Sequence, residues 1–278
     1  MLIHIAHSPD SDDAFMFYGL AEHKVPNEGF TFEHVLKDIE TLNREAMKGT
    51  YEISAVSIHA YAYLADKYAL LGSGASMGEN YGPMVVAKES FPISDIKQKL
   101  VAVPGTMTSA FLALKILEPQ FEHIVVPFDQ ILDVVKEGKA DCGLIIHEGQ
   151  LQYQDMGFKL IVDLGKWWAG LTGGLPLPLG GNAVRRNLGP EMMKKLARIQ
   201  KASIAYGLEH RKDGLAHAMK YARGLSPETA DTFVGMYVNQ RTLDYEADGK
   251  KAVQLFLDMA HDKKLIPHKV NVQFVDSN

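Results

Sequence analysis

The chain has 278 residues, of which 46% are hydrophobic and 23% charged, the balance of an ordinary folded protein and enough length for one large domain or two smaller ones with separate cores. A formal net charge of -5 without any block of Lys and Arg withholds the electrostatic footprint of a nucleic-acid binder, so a small molecule is the expected partner. The single cysteine, Cys142, excludes an intrachain disulfide, the start MLIHIAHSPDSDD lacks the pattern of a signal peptide, and no window reaches the roughly 18 apolar residues of a membrane helix; the expectation is a cytoplasmic protein with no membrane partner.

Leu2 to Ala6 reads as a strand, and His7 to Asp13 as a turn in which Ser11, Asp12 or Asp13 caps a helix through Ala14, Phe15, Phe17, Tyr18 and Leu20. Asp10, Asp12 and Asp13 do not make a calcium loop, because Phe15 and Ala21 stand where such a loop needs glycine and glutamate. Phe30 to Leu36 is a second strand, Ile39 to Met47 a helix stopped by Gly49, and Ile53 to Ile58 a third strand running into a helix over His59 to Tyr68. Ser57 falls at that junction, where a hydroxyl serves equally as a ligand contact or an N-cap. The alternation predicts a parallel sheet with helices on both faces.

Leu71 to Pro83 is rich in glycine and small polar residues, and a strand follows at Met84 to Lys88. A new α/β series begins at Leu100 to Val103, where Pro104-Gly105-Thr106-Met107-Thr108-Ser109 leads into a helix ending at Leu117. That turn has the make-up of an anion cradle: glycine for close backbone approach, and hydroxyls beside the free amides of a helix N-terminus. It lacks the Walker ending, so a carboxylate or enolate oxygen is the more natural guest. His123 to Val126 is a strand and Asp129 to Glu137 a helix. Cys142 to Ile146 reads as a buried strand with His147 at its carboxyl end and Glu148-Gly149 opening the next helix. That end of an open α/β sheet is where ligands bind, which makes His147 a candidate general base; a strand-capping role is the competing reading for an isolated histidine.

Phe158 to Leu164 supplies another strand, and Trp167-Trp168 suits either a cleft wall or the edge of a core. Thr172 to Asn182, TGGLPLPLGGN, reads as an irregular crossing back toward the first half. From Pro190 the periodicity is helical, with a long helix, another opened by Ser226-Pro227-Glu228, and a last over Glu246 to His261. The expected organisation is a larger lobe over residues 1–90 and 181–278, a smaller inserted lobe over 91–180, and a ligand between them. No metal-ligand set or dinucleotide fingerprint occurs, so no cofactor is expected. A homodimer through an apolar face of the C-terminal helices is one open option.

HSPDSDDAFMFYGL (His7 to Leu20), PGTMTSAFLALKIL (Pro104 to Leu117), LIIHEGQL (Leu144 to Leu151) and YVNQRTLDY (Tyr237 to Tyr245) together resemble the 1,4-dihydroxy-6-naphthoate synthases of the futalosine route to menaquinone. The resemblance implies an α/β, two-lobed fold like the type II periplasmic binding proteins, each lobe a sheet flanked by helices. It implies a carbon-carbon lyase acting on a small carboxylated molecule, cyclic dehypoxanthinylfutalosine. It places the family's base at His147 and substrate contacts at Ser57, Thr106, Met107, Thr108 and Ser109, with Asp12 at the mouth of the cleft. A chorismate dehydratase of the same pathway and a non-catalytic small-anion binding protein are the alternatives on this fold.

Overall fold

The computed structural model describes residues 1–221 and 226–277. Its strands run in chain order as β1 (Leu2–His7), β2 (Thr31–Leu36), β3 (Ile53–Ser57), β4 (Tyr68–Leu71), β5 (Ser76–Gly78), β6 (Met84–Ala87), β7 (Leu100–Val103), β8 (Glu122–Val125), β9 (Cys142–Ile145), β10 (Lys159–Asp163), β11 (Leu177–Arg185) and β12 (Phe274–Val275). The helices are α1 (Ser11–Ala21), α2 (Ile39–Met47), α3 (Ile58–Tyr61), α4 (Ser109–Leu117), α5 (Ile131–Lys136), α6 (Leu164–Thr172), α7 (Pro190–Glu209), α8 (Arg211–Ala218), α9 (Pro227–Tyr237), α10 (Gln240–Leu243) and α11 (Glu246–Asp262).

The opening alternation builds the expected parallel core: β1 pairs in parallel with β2 and with β3, with α1 and α2 as the crossovers. The sheet then turns mixed. β11 lies antiparallel between β3 and β4 and also pairs with β5, giving the order β12-β4-β11-β3-β1-β2. Of the glycine- and proline-rich stretch expected to be an irregular crossing, Thr172 to Pro176 lies in the passage between the sheets, and from Leu177 the chain is a nine-residue strand. The physical reason lies in its register: the ladder with β5 shifts between Pro178 and Gly180, a bulge that accommodates a residue with no N–H to give. The helix expected over His59 to Tyr68 is likewise short, because Tyr68 to Leu71 is fully buried and completes the sheet as β4.

The second sheet has the order β10-β6-β9-β7-β8, parallel at β7–β8 and β7–β9 and antiparallel where β6 meets β9 and β10. Met84–Ala87, assigned to the larger lobe from sequence, pairs in this smaller sheet. The chain passes between sheets over 79–83 and again over 164–176.

Helix α1 is buried along almost its whole length, packed against α7 and α8. Gly19 allows this approach, since a Cβ there would sit 2.9 Å from the Ser203 backbone. Ser203 then accepts the Leu20 amide at 3.1 Å and donates to the Met16 carbonyl at 3.0 Å, tying α7 to α1 through polar groups in an apolar layer. Trp168 belongs to the core: it is fully buried, donates to the Pro176 carbonyl at 2.9 Å, and meets Phe256 edge to face. Among the described residues no helix is long and apolar enough to cross a membrane.

The two crossings touch through glycines. A Cβ on Gly165, at the start of α6, would overlap the Tyr81 carbonyl, and one on Gly82 would lie 3.0 Å from the Gly165 nitrogen. Gly170, on the same helix, has nothing near its Cβ position. Gly165→Ala is therefore expected to destabilise by about 3 kcal/mol through overpacking against backbone, while Gly170→Ala gains about 0.5–1 kcal/mol from helix propensity. Urea unfolding of the two variants checks the opposite signs.

Candidate active site

A cleft of about 840 Å³, counted out to its open mouth, lies between the two sheets. Ser8, Asp10, Asp12 and Asp13 line it from the β1–α1 turn, Ser57 from the end of β3, and Gly180, Gly181 and Asn182 from β11. Thr108, Ser109 and Ala110 line it from the start of α4, and Ile146 and His147 from the end of β9. Each parallel strand delivers its carboxyl end to the same place, so residues far apart in sequence converge there.

His147 is held by the turn it opens. Its Nδ1 accepts the Gly149 amide at 2.9 Å, capping a single 3-10 turn over Glu148–Leu151, and Phe128 stands edge-on to the ring at 5.8 Å between centroids. With the Nδ1 lone pair engaged, the neutral imidazole carries its proton on Nε2.

Ser57 is fixed at both ends by Asn43 of α2: its amide donates to Asn43 Oδ1 at 2.8 Å and its hydroxyl oxygen accepts from Asn43 Nδ2 at 3.0 Å. That leaves the Ser57 O–H as donor. Thr108 caps α4, donating to the Gly105 carbonyl at 3.0 Å and accepting from the Phe111 amide at 3.2 Å. Its hydroxyl is spent on the helix, so the first amides of α4, at Ser109 and Ala110, are the groups that lack an intrahelical acceptor. Ser109 donates to the Leu179 carbonyl and accepts the His59 amide at 3.2 Å, bridging α4 to β11 and α3.

Thr106 and Met107, expected among the substrate contacts, are not among the residues that line the cleft. The Met107 amide donates to Glu40 at 3.1 Å and its carbonyl accepts from Asn43 at 3.4 Å. Gly105 permits the contact, because a Cβ there would overlap the Glu40 carboxylate. The turn is thus a clasp between α2 and α4, and only its end reaches the cleft.

The opposite corner is acidic. Asp10 is the N-cap of α1 but makes no side-chain cap bond, and Ser11, Asp12 and Asp13, the three expected caps, lie inside the first turn. Asp13 instead accepts the Ser8 amide at 2.7 Å, Asp10 accepts the Ser8 hydroxyl, and Ser11 reaches Glu148 at 3.5 Å. Loss of water, with repulsion from Asp13, Asp10 and Glu148, raises the proton affinity of Asp12 well above the usual carboxylate range. Asp13 is pushed up to about 7 by the same loss of water and by Asp10, against the Ser8 amide. Among the described residues no group of three or more His, Cys, Asp and Glu could hold a metal ion.

Sequence reasoning missed Asn43, the Gly180–Asn182 wall, Phe233 and Tyr237. Asn43 had a signal, an amide between Leu42 and Ala46 on the buried side of an amphipathic helix. Of the paired glycines of β11, Gly181 is required by core packing, since a Cβ there would overlap the Tyr245 hydroxyl. Cys142 is buried in β9, with its thiol pushed up to about 12 by lost solvation, as expected for an inert core thiol.

A sequence profile for a family described as menaquinone biosynthesis matches residues 3–262. The chain is 38% identical over 251 residues to the 1,4-dihydroxy-6-naphthoate synthase of Thermus thermophilus, covering 90% of this chain and 91% of that one. A crystal structure of a protein from Archaeoglobus fulgidus, 45% identical, superposes with a TM-score of 0.91 over 95% of this chain and 98% of the other. The alkanesulfonate-binding protein of Xanthomonas axonopodis, at 14% identity and a TM-score of 0.73 over 98% and 96% of the two chains, shares the fold, which is that of the periplasmic binding proteins.

Asp13 gives the corner a measurable cost. The unfolded chain releases this proton near 3.8 and the folded protein near 7, so the folded state binds more protons between those values and loses stability as pH rises through them. Asp13→Asn, which keeps an acceptor for Ser8, is expected to raise the melting temperature by about 2–8 °C at pH 7.5, on the order of 1–2 kcal/mol, and to give no gain near pH 4. Thermal unfolding at both pH values measures the difference.

Proposed function

The chain belongs to the menaquinone-biosynthesis family, and on that premise we propose that it is a lyase converting cyclic dehypoxanthinylfutalosine to 1,4-dihydroxy-6-naphthoate with release of the sugar-derived fragment. The observation that carries this reading is the polarity of the cleft: helix amides and the Ser57 hydroxyl at one side, carboxyl groups at the other, and His147 among the lining residues. A ring bearing a carboxylate and a polyol has the matching polarity. Its carboxylate is favoured at the amides of α4 by the helix dipole and repelled from Asp10, Asp12 and Asp13. Its hydroxyls are donors suited to those same acidic groups.

Aromatisation requires a proton to leave carbon beside a carbonyl while the bond to the sugar-derived carbons breaks. The Nε2–H of His147 donates to the oxygen on which negative charge grows, an interaction worth about 3–4 kcal/mol in comparable sites. Neutral imidazole serves in this way elsewhere when a helix N-terminus holds it uncharged. Asp13 is the acceptor suited to take the proton, because a carboxyl that titrates at about 7 is both substantially ionised and usefully basic near neutral pH.

Incubating the protein with cyclic dehypoxanthinylfutalosine and following the naphthoate by mass spectrometry tests the reading; ligand binding without product would refute it. His147→Asn, which can still cap the turn, is expected to retain fold and binding and lose about 10²–10⁴ in turnover. His147→Gln, which sets an amide N–H nearer the Nε2 position, is expected to keep more activity than the Asn variant. Near-normal turnover in the Asn variant would remove His147 from the chemistry.

A further inference from the structure

The turn that carries His147 is held by the opposite lobe. Gln150, at the centre of that turn, is 3% exposed, and its Oε1 accepts a hydrogen bond from the hydroxyl of Tyr237 at 2.9 Å. Tyr237 ends α9, 87 residues further along the chain, and is 4% exposed. Edge contacts with Tyr81 and Phe233 fix its ring, and the Thr242 hydroxyl holds its carbonyl at 3.0 Å. Thr242 belongs to a capping box with Asn239, so much of the YVNQRTLDY segment works to set one phenol. Burial drives the Tyr237 phenol far above its ordinary range, so it stays a donor throughout the working pH range.

The turn is short, with the amides of Gln152 and Tyr153 closing its far end on the Gly149 carbonyl at 3.1 and 2.9 Å. It spans four residues, closed by the Gly149 amide on His147 Nδ1 at 2.9 Å and the Gln150 amide on the His147 carbonyl at 3.0 Å. Both contacts involve His147, and the first occupies its Nδ1. Gln150 is not a cleft-lining residue, whereas Tyr237 is.

We infer that the Tyr237–Gln150 hydrogen bond is a positioning contact for His147: it locks the 148–151 turn so that the Gly149 amide occupies Nδ1, and thereby fixes the Nε2-protonated ring toward the substrate. This rests on the reading of His147 as the residue that acts on the substrate. Tyr237 and Gln150 are positioning residues in this scheme, acting through the turn. A buried acceptor left without its donor is poorly tolerated, and a turn that rearranges to satisfy it releases the histidine, a displacement of the kind that costs on the order of 10²-fold in rate.

The test uses Tyr237→Phe, Gln150→Met and the double variant of the full chain, all close in shape to the parent. Two quantities are measured: kcat and KM with cyclic dehypoxanthinylfutalosine, and the ¹⁵N shifts of the His147 imidazole without substrate. Each single variant is expected to lower kcat by about 10- to 100-fold with a smaller change in KM. The double variant is expected to be no worse than the poorer single, because both remove the same contact. The imidazole shifts are expected to move from a fixed Nε2–H pattern toward an average of the two tautomers. Unchanged kcat and unchanged shifts in either single variant overturn the inference. So does loss of activity in Tyr237→Phe with normal activity and shifts in Gln150→Met, which would make Tyr237 a direct substrate contact. The shifts are read without turnover, so a parent protein that makes no naphthoate refutes the lyase reading and leaves the positioning contact to be judged by NMR.

Discussion

Keeping four carboxyl groups, Asp10, Asp12, Asp13 and Glu148, in one corner with little water is the constraint on which the rest of the site depends. Desolvation and repulsion from neighbouring carboxylates both favour the neutral forms of Asp12 and Asp13. The chain answers with nearby donors: the amide and hydroxyl of Ser8 and the hydroxyl of Ser11. Those donors all come from the β1–α1 turn, so the turn and the acidic corner stand or fall together. His7 and His34 add no balancing cation. His7 and His34 share a hydrogen bond at 3.0 Å, and burial lowers their affinities to about 3 and about 4. Asp12 and Asp13 thus remain protonatable within the cleft.

The other side of the cleft is built on the opposite plan, with its polar groups satisfied before a ligand arrives. The hydroxyls of Thr108 and Ser109 are committed to helix capping and to joining α4 with β11 and α3. Backbone amides are left to meet an anion, and they need no rearrangement to do so. The hydroxyl-bearing residues expected as ligand contacts, Thr108 and Ser109, line the cleft and also hold the start of α4 in place.

What was legible in the sequence was local. Ile39–Met47 forms the helix its periodicity and Gly49 predict, Thr108 sits at the head of α4 as its turn suggests, and His147 ends a buried strand. What was hidden depended on distant partners. Leu177–Arg185 has the composition of a loop and becomes a strand because β3, β4 and β5 supply ladders for it. Tyr68–Leu71 continues an apparent helix and is drawn into the sheet by the same neighbour. Met107 was read as facing a ligand, yet its backbone faces Glu40 and Asn43, which come from α2, 67 and 64 residues earlier in the chain. Tyr237 and Gln150 meet across 87 residues with no shared motif. The resemblance to a known family identified the stretches that matter; it did not say which atoms in them are already spoken for.

The glycine contact between the two crossings has a mechanical consequence. Gly82 and Gly165 bring the connecting segments together backbone to backbone, without side chains as spacers. Any side chain larger than hydrogen at either glycine would therefore push the two connecting segments apart. The same two lobes also meet at Tyr237–Gln150, Ser11–Glu148 and Glu40–Met107, so the spacing of the crossings bears on contacts on several sides of the cleft.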